Sequence, residues 1–240
     1  MINTYSESRL HKTLKNLYAM DSNGKTEQPV EGKICDIVAD DGSIIEIQTG
    51  SLAKLHGKLG LLLPRYQVTV VYPLVVKKTI ETVGKDGSLM SRRKSPKKQG
   101  VLDIFRELTS IYPYLLHEHF TLEVLEVSVV EHRVKVDTPM QLANRSRRFK
   151  RDWYKADKSL AEIHTTHRFS SAEDYLALLP SDLPEEFTVK DLGKALKTRN
   201  ASLILWVLRK MDLVEAVGKQ GKALVLRRRG SETCVLTPTS

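Results

Sequence analysis

Two carboxylates and one side-chain amide lie on two adjacent segments that are predicted to be β-strands. Asp36 belongs to the first segment, residues 30–38, and Glu46 and Gln48 belong to the second, residues 44–48. Both segments are rich in isoleucine and valine, and the turn sequence Asp-Asp-Gly lies between them, so the pattern predicts a hairpin. Side chains alternate between the two faces of a strand, so Glu46 and Gln48 share one face.

The register of this hairpin places the two carboxylates opposite each other. If residues 40–42 form a three-residue loop with the glycine in the left-handed conformation, Ala39 pairs with Ser43 and Asp36 faces Glu46. Neighbouring carboxylates repel each other and are costly to hold near an apolar sheet unless a cation lies between them. Because carboxylate, carbonyl and water oxygens are the ligands that Mg²⁺ prefers, the pair predicts a divalent-cation site.

A third carboxylate, that of Glu7, comes from the first predicted helix. Residues 6–20 have leucines at positions 10, 14 and 17, which is the spacing of an amphipathic helix, and Ser6 is the expected N-cap residue. Glu7 continues the apolar stripe toward the start of the helix, so we expect its carboxylate to project toward the sheet.

The rest of the N-terminal sequence predicts a compact α/β unit that continues as a sheet. A polar turn is expected over residues 21–29, and residues 91–100 are expected to form a basic loop. The other expected elements are a helix over 51–63, a strand over 67–74, a hairpin from 77–83 and 88 onward, a helix over 101–111, a long strand over 120–136 and basic helices within 140–163.

The helical Glu7, Asp36 in the segment DIVADDG, and Glu46-Ile47-Gln48 before a helix together resemble the PD-(D/E)XK nuclease superfamily. The likeness covers residues 5–75 and is closest to the Holliday-junction-resolvase-like and restriction-endonuclease-like branches. It implies an α/β fold with a mixed, restriction-endonuclease-like sheet and flanking helices. It also implies that Asp36, Glu46 and the Ile47 carbonyl ligate Mg²⁺ or Mn²⁺, that Glu7 orients the water shell, and that Gln48 completes the catalytic set.

Gln48 departs from the commonest family pattern, which has lysine at this position. A neutral amide orients a water molecule but supplies no positive charge, and Lys54 or Lys58 in the following helix are candidates for that charge. Two alternatives therefore stay open: a Mg²⁺-dependent DNA endonuclease, and a non-catalytic DNA-binding regulator with a degenerate nuclease-like domain. A role on RNA is a third, because basic patches do not distinguish the two nucleic acids.

A second pattern, three helices followed by a hairpin, occupies residues 171–230. It is similar to a winged helix-turn-helix domain, which gives a division into a nuclease-like domain of residues 1–165 and a winged-helix domain of residues 171–230. The likeness implies DNA contacts from the start of the recognition helix, the turn before it and the wing. These candidates are Lys194, Lys197, Arg199, Asn200, Ser202, Lys219, Gln220 and Lys222. A winged helix that docks another protein is the alternative.

The distribution of charge favours a nucleic-acid partner. The 240-residue chain has 38 Lys and Arg residues against 29 Asp and Glu residues, and residues 76–100 alone carry eight basic and two acidic side chains. Clustered cations neutralise phosphates and release counterions. Two cysteines are too few for a disulfide framework, and the apolar runs are too short to span a membrane, so we expect a cytoplasmic protein that acts on DNA. A homodimer is expected if both strands of a duplex are cut.

Overall fold

A seven-stranded mixed sheet and a three-stranded sheet organise residues 7–96, 98–141 and 150–229, which the computed structural model describes. The elements are α1 (Arg9–Asp21), β1 (Lys25–Val30), β2 (Lys33–Val38), β3 (Ile44–Ile47), α2 (His56–Leu62), β4 (Val68–Val83), β5 (Leu89–Lys94), α3 (Phe105–Leu108), β6 (Phe120–Met140), β7 (Arg151–Phe169), α4 (Ala172–Leu176), β8 (Glu186–Phe187), α5 (Val189–Ala195), α6 (Ala201–Lys210), β9 (Val214–Gln220) and β10 (Ala223–Arg228). Short 3₁₀ helices are Leu52–Leu55, Val101–Ile104 and Tyr112–Tyr114.

The large sheet has the order β1-β2-β3-β4-β6-β7. The seventh strand, β5, pairs with residues 79–83 at the C-terminal end of β4. The pairs β3–β4 and β4–β6 are parallel, and the other pairs are antiparallel. A mixed sheet with flanking helices is the coarse fold class that the sequence predicted. Within the described ranges, we find no helix with the length and apolar character needed to cross a bilayer.

Helix α1 covers one face of this sheet. Ser8 caps it by accepting a hydrogen bond from the amide of His11 at 3.3 Å, so the helix begins at Arg9, three residues later than predicted. The expected cap, Ser6, lies outside the described residues. Leu10 and Leu14 are fully buried among the isoleucines and valines of the sheet, as their spacing predicted.

The polar segment before β2 is a strand, which the sequence analysis interpreted as a turn. Residues 25–30 form β1 and pair antiparallel with β2 around a two-residue turn at Glu31 and Gly32, whose φ angles are 47° and 71°. β1 is the first strand of the sheet order, and its residues are exposed or half-buried. An edge strand tolerates polar residues and Pro29, which explains the wrong prediction.

The prediction of basic helices within residues 140–163 is wrong for residues 151–163, and its part over residues 142–149 lies outside the described residues. Residues 151–169 form β7, which pairs antiparallel with β6 from Phe169 to Arg151, with several bulges. The guanidinium of Arg133 lies 3.6 Å from the centre of the Trp153 ring across these strands. The expected loop over residues 91–100 is also partly wrong, since residues 91–94 belong to β5.

The C-terminal residues form a smaller sheet with the order β8-β10-β9. The helices α4, α5 and α6 belong to the same C-terminal segment. β9 continues to Gln220, so only Gly221 and Lys222 remain in the turn between β9 and β10. β7 continues to Phe169 and Ser171 caps α4, so only Ser170 lies between the end of β7 and the cap of α4. Phe105 and Leu108 share one buried core with Ile204 of α6.

Candidate metal centre

The hydrogen-bonded ladder between β2 and β3 stops at the level of the two predicted carboxylates. Ile37 pairs with Ile45, and the next residues in this register are Asp36 and Glu46, which therefore lie opposite each other. Gly42 has a φ of 82°, so the tight turn uses the left-handed glycine that the sequence predicted. Cys35 and Ile47 would be the next pair in this register, and they do not form a pair in the β-ladder.

Asp36 and Glu46 replace the missing ladder bonds by exchanging contacts with the opposite strand. The Asp36 amide donates to Glu46 Oε1 at 3.3 Å, and the Ile47 amide donates to Asp36 Oδ2 at 2.8 Å. Each carboxylate thus accepts a hydrogen bond from a main-chain N–H group of the opposite strand. The two acidic side chains therefore lie in a gap between the separating strands.

Glu46 is the more buried of the two acids, with 3% of its surface exposed. Burial raises the pKa of Glu46 and the nearby charge of Asp36 raises it too, whereas Lys58 opposes both effects. Lys58, in α2, places its Nζ 2.6 Å from Glu46 Oε1 and also donates to the carbonyl of Ile34 at 2.6 Å. Lys58 was one of two lysines considered for the charge that Gln48 lacks.

Asp36 is held from the other side by α1. Burial alone would raise the pKa of Asp36, but hydrogen bonds from His11 and the Ile47 amide lower it overall. His11 Nε2 lies 3.3 Å from Asp36 Oδ2, and its Nδ1 contacts Glu7. The two carboxylates outweigh the effect of burial on His11, so the pKa of His11 is raised.

Glu7 therefore contacts His11, which in turn contacts Asp36, and among the residues described Glu7 itself does not contact Asp36 or Glu46. It lies immediately before the helix cap, and its Oε1 is 2.7 Å from Lys15 Nζ. Lys15 also binds Glu27 at 2.8 Å. The sequence analysis missed His11 and Lys15, although Glu7, His11 and Lys15 follow one another at intervals of four residues along one helix face, which was an available signal.

Gln48 lies just after β3 and contacts the loop that follows. The side-chain oxygen of Gln48 accepts a hydrogen bond from the Gly50 amide at 3.4 Å. The main-chain N–H of Gln48 donates to the Val71 carbonyl at 2.9 Å. Its side-chain nitrogen has no hydrogen-bond partner within the described residues. This nitrogen is the group that Gln48 can offer to a water molecule.

The donor atoms of Asp36, Glu46 and Ile47 are of the type that holds a hydrated divalent cation. The contacts described above use Asp36 Oδ2 and Glu46 Oε1 and none of them involves the second oxygen of either carboxylate, although the Cys35 thiol also interacts with Glu46. The Ile47 amide points toward β2, so the carbonyl of the same residue points to that side as well. No cluster of three His, Cys, Asp or Glu side chains suited to a metal occurs in the described part of the chain. A site of two carboxylates, one carbonyl and waters matches the way Mg²⁺ is usually held.

Most of the candidate DNA-binding residues are exposed, but Asn200 is not free. Its Nδ2 donates to Asp103 Oδ1 at 3.2 Å, and its Oδ1 accepts from Arg106 at 3.2 Å. Further along α6, Trp206 packs edge-on against Tyr112 with ring centres 5.4 Å apart. The start of α6 is therefore docked on residues 101–114. The exposed candidates are Lys194, Lys197, Arg199, Ser202, Lys219, Gln220 and Lys222.

Comparison with known proteins places most of the chain in one family. Residues 8–170 match the family described as a domain of unknown function (DUF8091). The chain belongs to this family. An uncharacterized protein of Treponema pallidum (strain Nichols) is 34% identical over 227 residues, which are 95% of this chain and 87% of the relative. No solved structure matches the chain. The family segment runs from the start of α1 to the end of β7 and includes Asp36 and Glu46.

Proposed function

We propose that the protein is a Mg²⁺-dependent endonuclease that hydrolyses phosphodiester bonds of DNA at Asp36 and Glu46. The observation that carries the proposal is the gap between β2 and β3, where these two acids lie opposite each other and the Ile47 amide donates to Asp36. An acid as buried as Glu46, next to a second acid, is costly unless cations offset the charge. The proposed ligands are Asp36, Glu46 and the Ile47 carbonyl, with Mn²⁺ as an alternative metal.

The side chains around the gap have distinct proposed roles. A cation bound there supplies Lewis-acid polarisation of the phosphate and a more acidic water. Lys58 holds Glu46 and contributes a positive charge near the leaving phosphate. Gln48 orients the attacking water through its side-chain nitrogen. Glu7 fixes His11, which in turn fixes Asp36.

A non-catalytic DNA-binding regulator is the second candidate function. The observation that favours it is Lys58, whose ammonium group already neutralises Glu46 at 2.6 Å without a metal. With a neutral Gln48 in addition, the centre would then be a structural remnant of a nuclease site.

A cleavage panel separates the two functions. We expect the purified protein to cut at least one of supercoiled plasmid, linear duplex, branched or single-stranded DNA in Mg²⁺ or Mn²⁺, and to cut none of them in excess EDTA. Single-stranded and duplex RNA serve as comparison substrates, and preferential cleavage of RNA would overturn the assignment to DNA. If every substrate stays intact in both metals, the nuclease proposal is wrong and the regulator remains.

The wing between β9 and β10 is the second proposed DNA contact. Because Asn200 is held by Asp103 and Arg106, we expect the exposed tip to contribute more than the start of α6. The double substitution Lys219→Ala/Lys222→Ala should weaken binding to all DNA sequences and lower the slope of log K against log salt by about 2. Fluorescence anisotropy over a range of NaCl concentrations measures both quantities.

The variant Lys25→Ala/Lys33→Ala is the matched control for the wing, since it removes the same charge from β1 and β2. We expect its affinity and salt slope to stay at the wild-type values. Unchanged binding in the wing variant would favour a winged helix that docks a protein.

A further inference from the structure

A cavity of about 880 Å³ lies beside the large sheet, away from the candidate metal centre. The walls come from β4, β6 and β7, from Lys94 at the end of β5, and from Ser95 and residues 98–100 after it. We call this cavity the arm groove. None of its lining residues belongs to the centre described above.

Lysines dominate the charge of the arm groove. Lys77, Lys94 and Lys98 are exposed and form no ion pair within the described ranges, whereas Lys78 binds Glu131 at 3.0 Å. The single acid of the lining, Glu126, lies 3.4 Å from His167. The groove therefore has an excess of positive charge that the described part of the protein does not neutralise.

Two further polar side chains, those of Ser128 and His164, line the groove. Ser128 Oγ and His164 Nε2 are 2.7 Å apart across β6 and β7. Side chains of this kind donate to phosphate oxygens, and lysine binds phosphate as a point charge. The chemistry of the groove is that of a site for a chain of phosphates.

Strand β4 connects the groove to the candidate metal centre. Glu46 pairs with Val70 of β4, and Lys77 lies seven residues further along the same strand. At about 3.3 Å per residue, the two points are roughly 23 Å apart. A duplex rises about 3.4 Å per base pair, so this span corresponds to about six or seven base pairs.

We propose that the arm groove binds the phosphate backbone of duplex DNA about six or seven base pairs from the phosphate that is cut. This inference rests on the proposed function and adds a second contact region to it. Lys77, Lys94 and Lys98 come from β4, β5 and the segment after β5, so three segments contribute positive charge to one groove, and such clustered cations neutralise the phosphates of a backbone.

The test compares two triple variants of the full chain. The first, Lys77→Ala/Lys94→Ala/Lys98→Ala, should weaken binding of a 30-base-pair duplex at least tenfold and lower the salt slope by about 2 to 3. The second, Lys12→Ala/Lys25→Ala/Lys33→Ala, removes the same charge from α1, β1 and β2, and we expect binding within twofold of wild type. Binding is measured in EDTA, so that it does not depend on cleavage, and thermal melting checks that both variants fold.

The outcomes separate the groove from the nuclease proposal. A loss of binding confined to the first variant supports the groove, even if the wild type cuts nothing and the nuclease proposal fails. Equal binding by the first variant and the wild type overturns the groove, even if cleavage depends on Asp36. An equal loss in both variants, or stronger competition by polyglutamate than by DNA, would also overturn it.

Discussion

Asp36→Asn and Glu46→Gln are each expected to reduce DNA cleavage by about 10³-fold or more, with the fold retained. Both substitutions keep the size of the side chain and an oxygen that accepts the hydrogen bonds from the Ile47 and Asp36 amides. They remove the negative charge that holds the cation, and metal-ion catalysis contributes several kcal/mol, at about 1.4 kcal/mol for each tenfold in rate. Single-turnover cleavage of the best substrate in the panel measures the loss.

Asp40→Asn is the matched control for these substitutions. Asp40 lies in the turn between β2 and β3, is exposed, and belongs to the same acidic run in the sequence. We expect this variant to cleave at the wild-type rate. Undiminished cleavage in both Asp36→Asn and Glu46→Gln would show that the phosphodiester bond is cut elsewhere in the protein or by a contaminant.

Lys58→Met should reduce the cleavage rate about 10²-fold, the second largest effect. Lys58 positions Glu46 through a 2.6 Å contact, and its ammonium group is the positive charge nearest to that acid in the described contacts. Methionine keeps most of the apolar stem but leaves the buried Glu46 without this partner. Losing a preorganised charge of this kind typically costs about 10²- to 10³-fold in turnover.

A rescue experiment distinguishes this role from a merely structural one. In the commonest pattern of the PD-(D/E)XK nucleases that the sequence resembles, lysine occupies the position of Gln48, so Gln48→Lys should restore part of the activity of Lys58→Met. Lys54→Met, which removes an exposed lysine one turn earlier, is the control and should cleave normally. An equal loss in Lys54→Met, or no recovery with Gln48→Lys, would contradict a specific role for Lys58.

The β2–β3 hairpin is the part of the site that the sequence specified best. Alternating isoleucines and a turn ending in Gly42 leave one register that keeps the apolar side chains buried, and a shift by one residue would expose them. The structure has this register, with Gly42 in the left-handed conformation. Local patterns therefore predicted the opposition of Asp36 and Glu46.

Contacts between distant segments could not be predicted in this way. β7 has few apolar residues, and its conformation comes from pairing with β6, so local propensity indicated a helix instead. Asn200 is held by Asp103, which is 97 residues earlier in the chain. The link from Glu7 through His11 to Asp36 likewise depends on how α1 packs on the sheet, which no local pattern describes.

Calorimetric titration of Mn²⁺ into the metal-free protein tests the divalent-cation site at Asp36 and Glu46 most directly. For the wild type and for Asp40→Asn we expect saturable binding, and for Asp36→Asn we expect the heat of binding to disappear. Mn²⁺ binding of equal strength in Asp36→Asn, or none in the wild type, would contradict a metal site between β2 and β3.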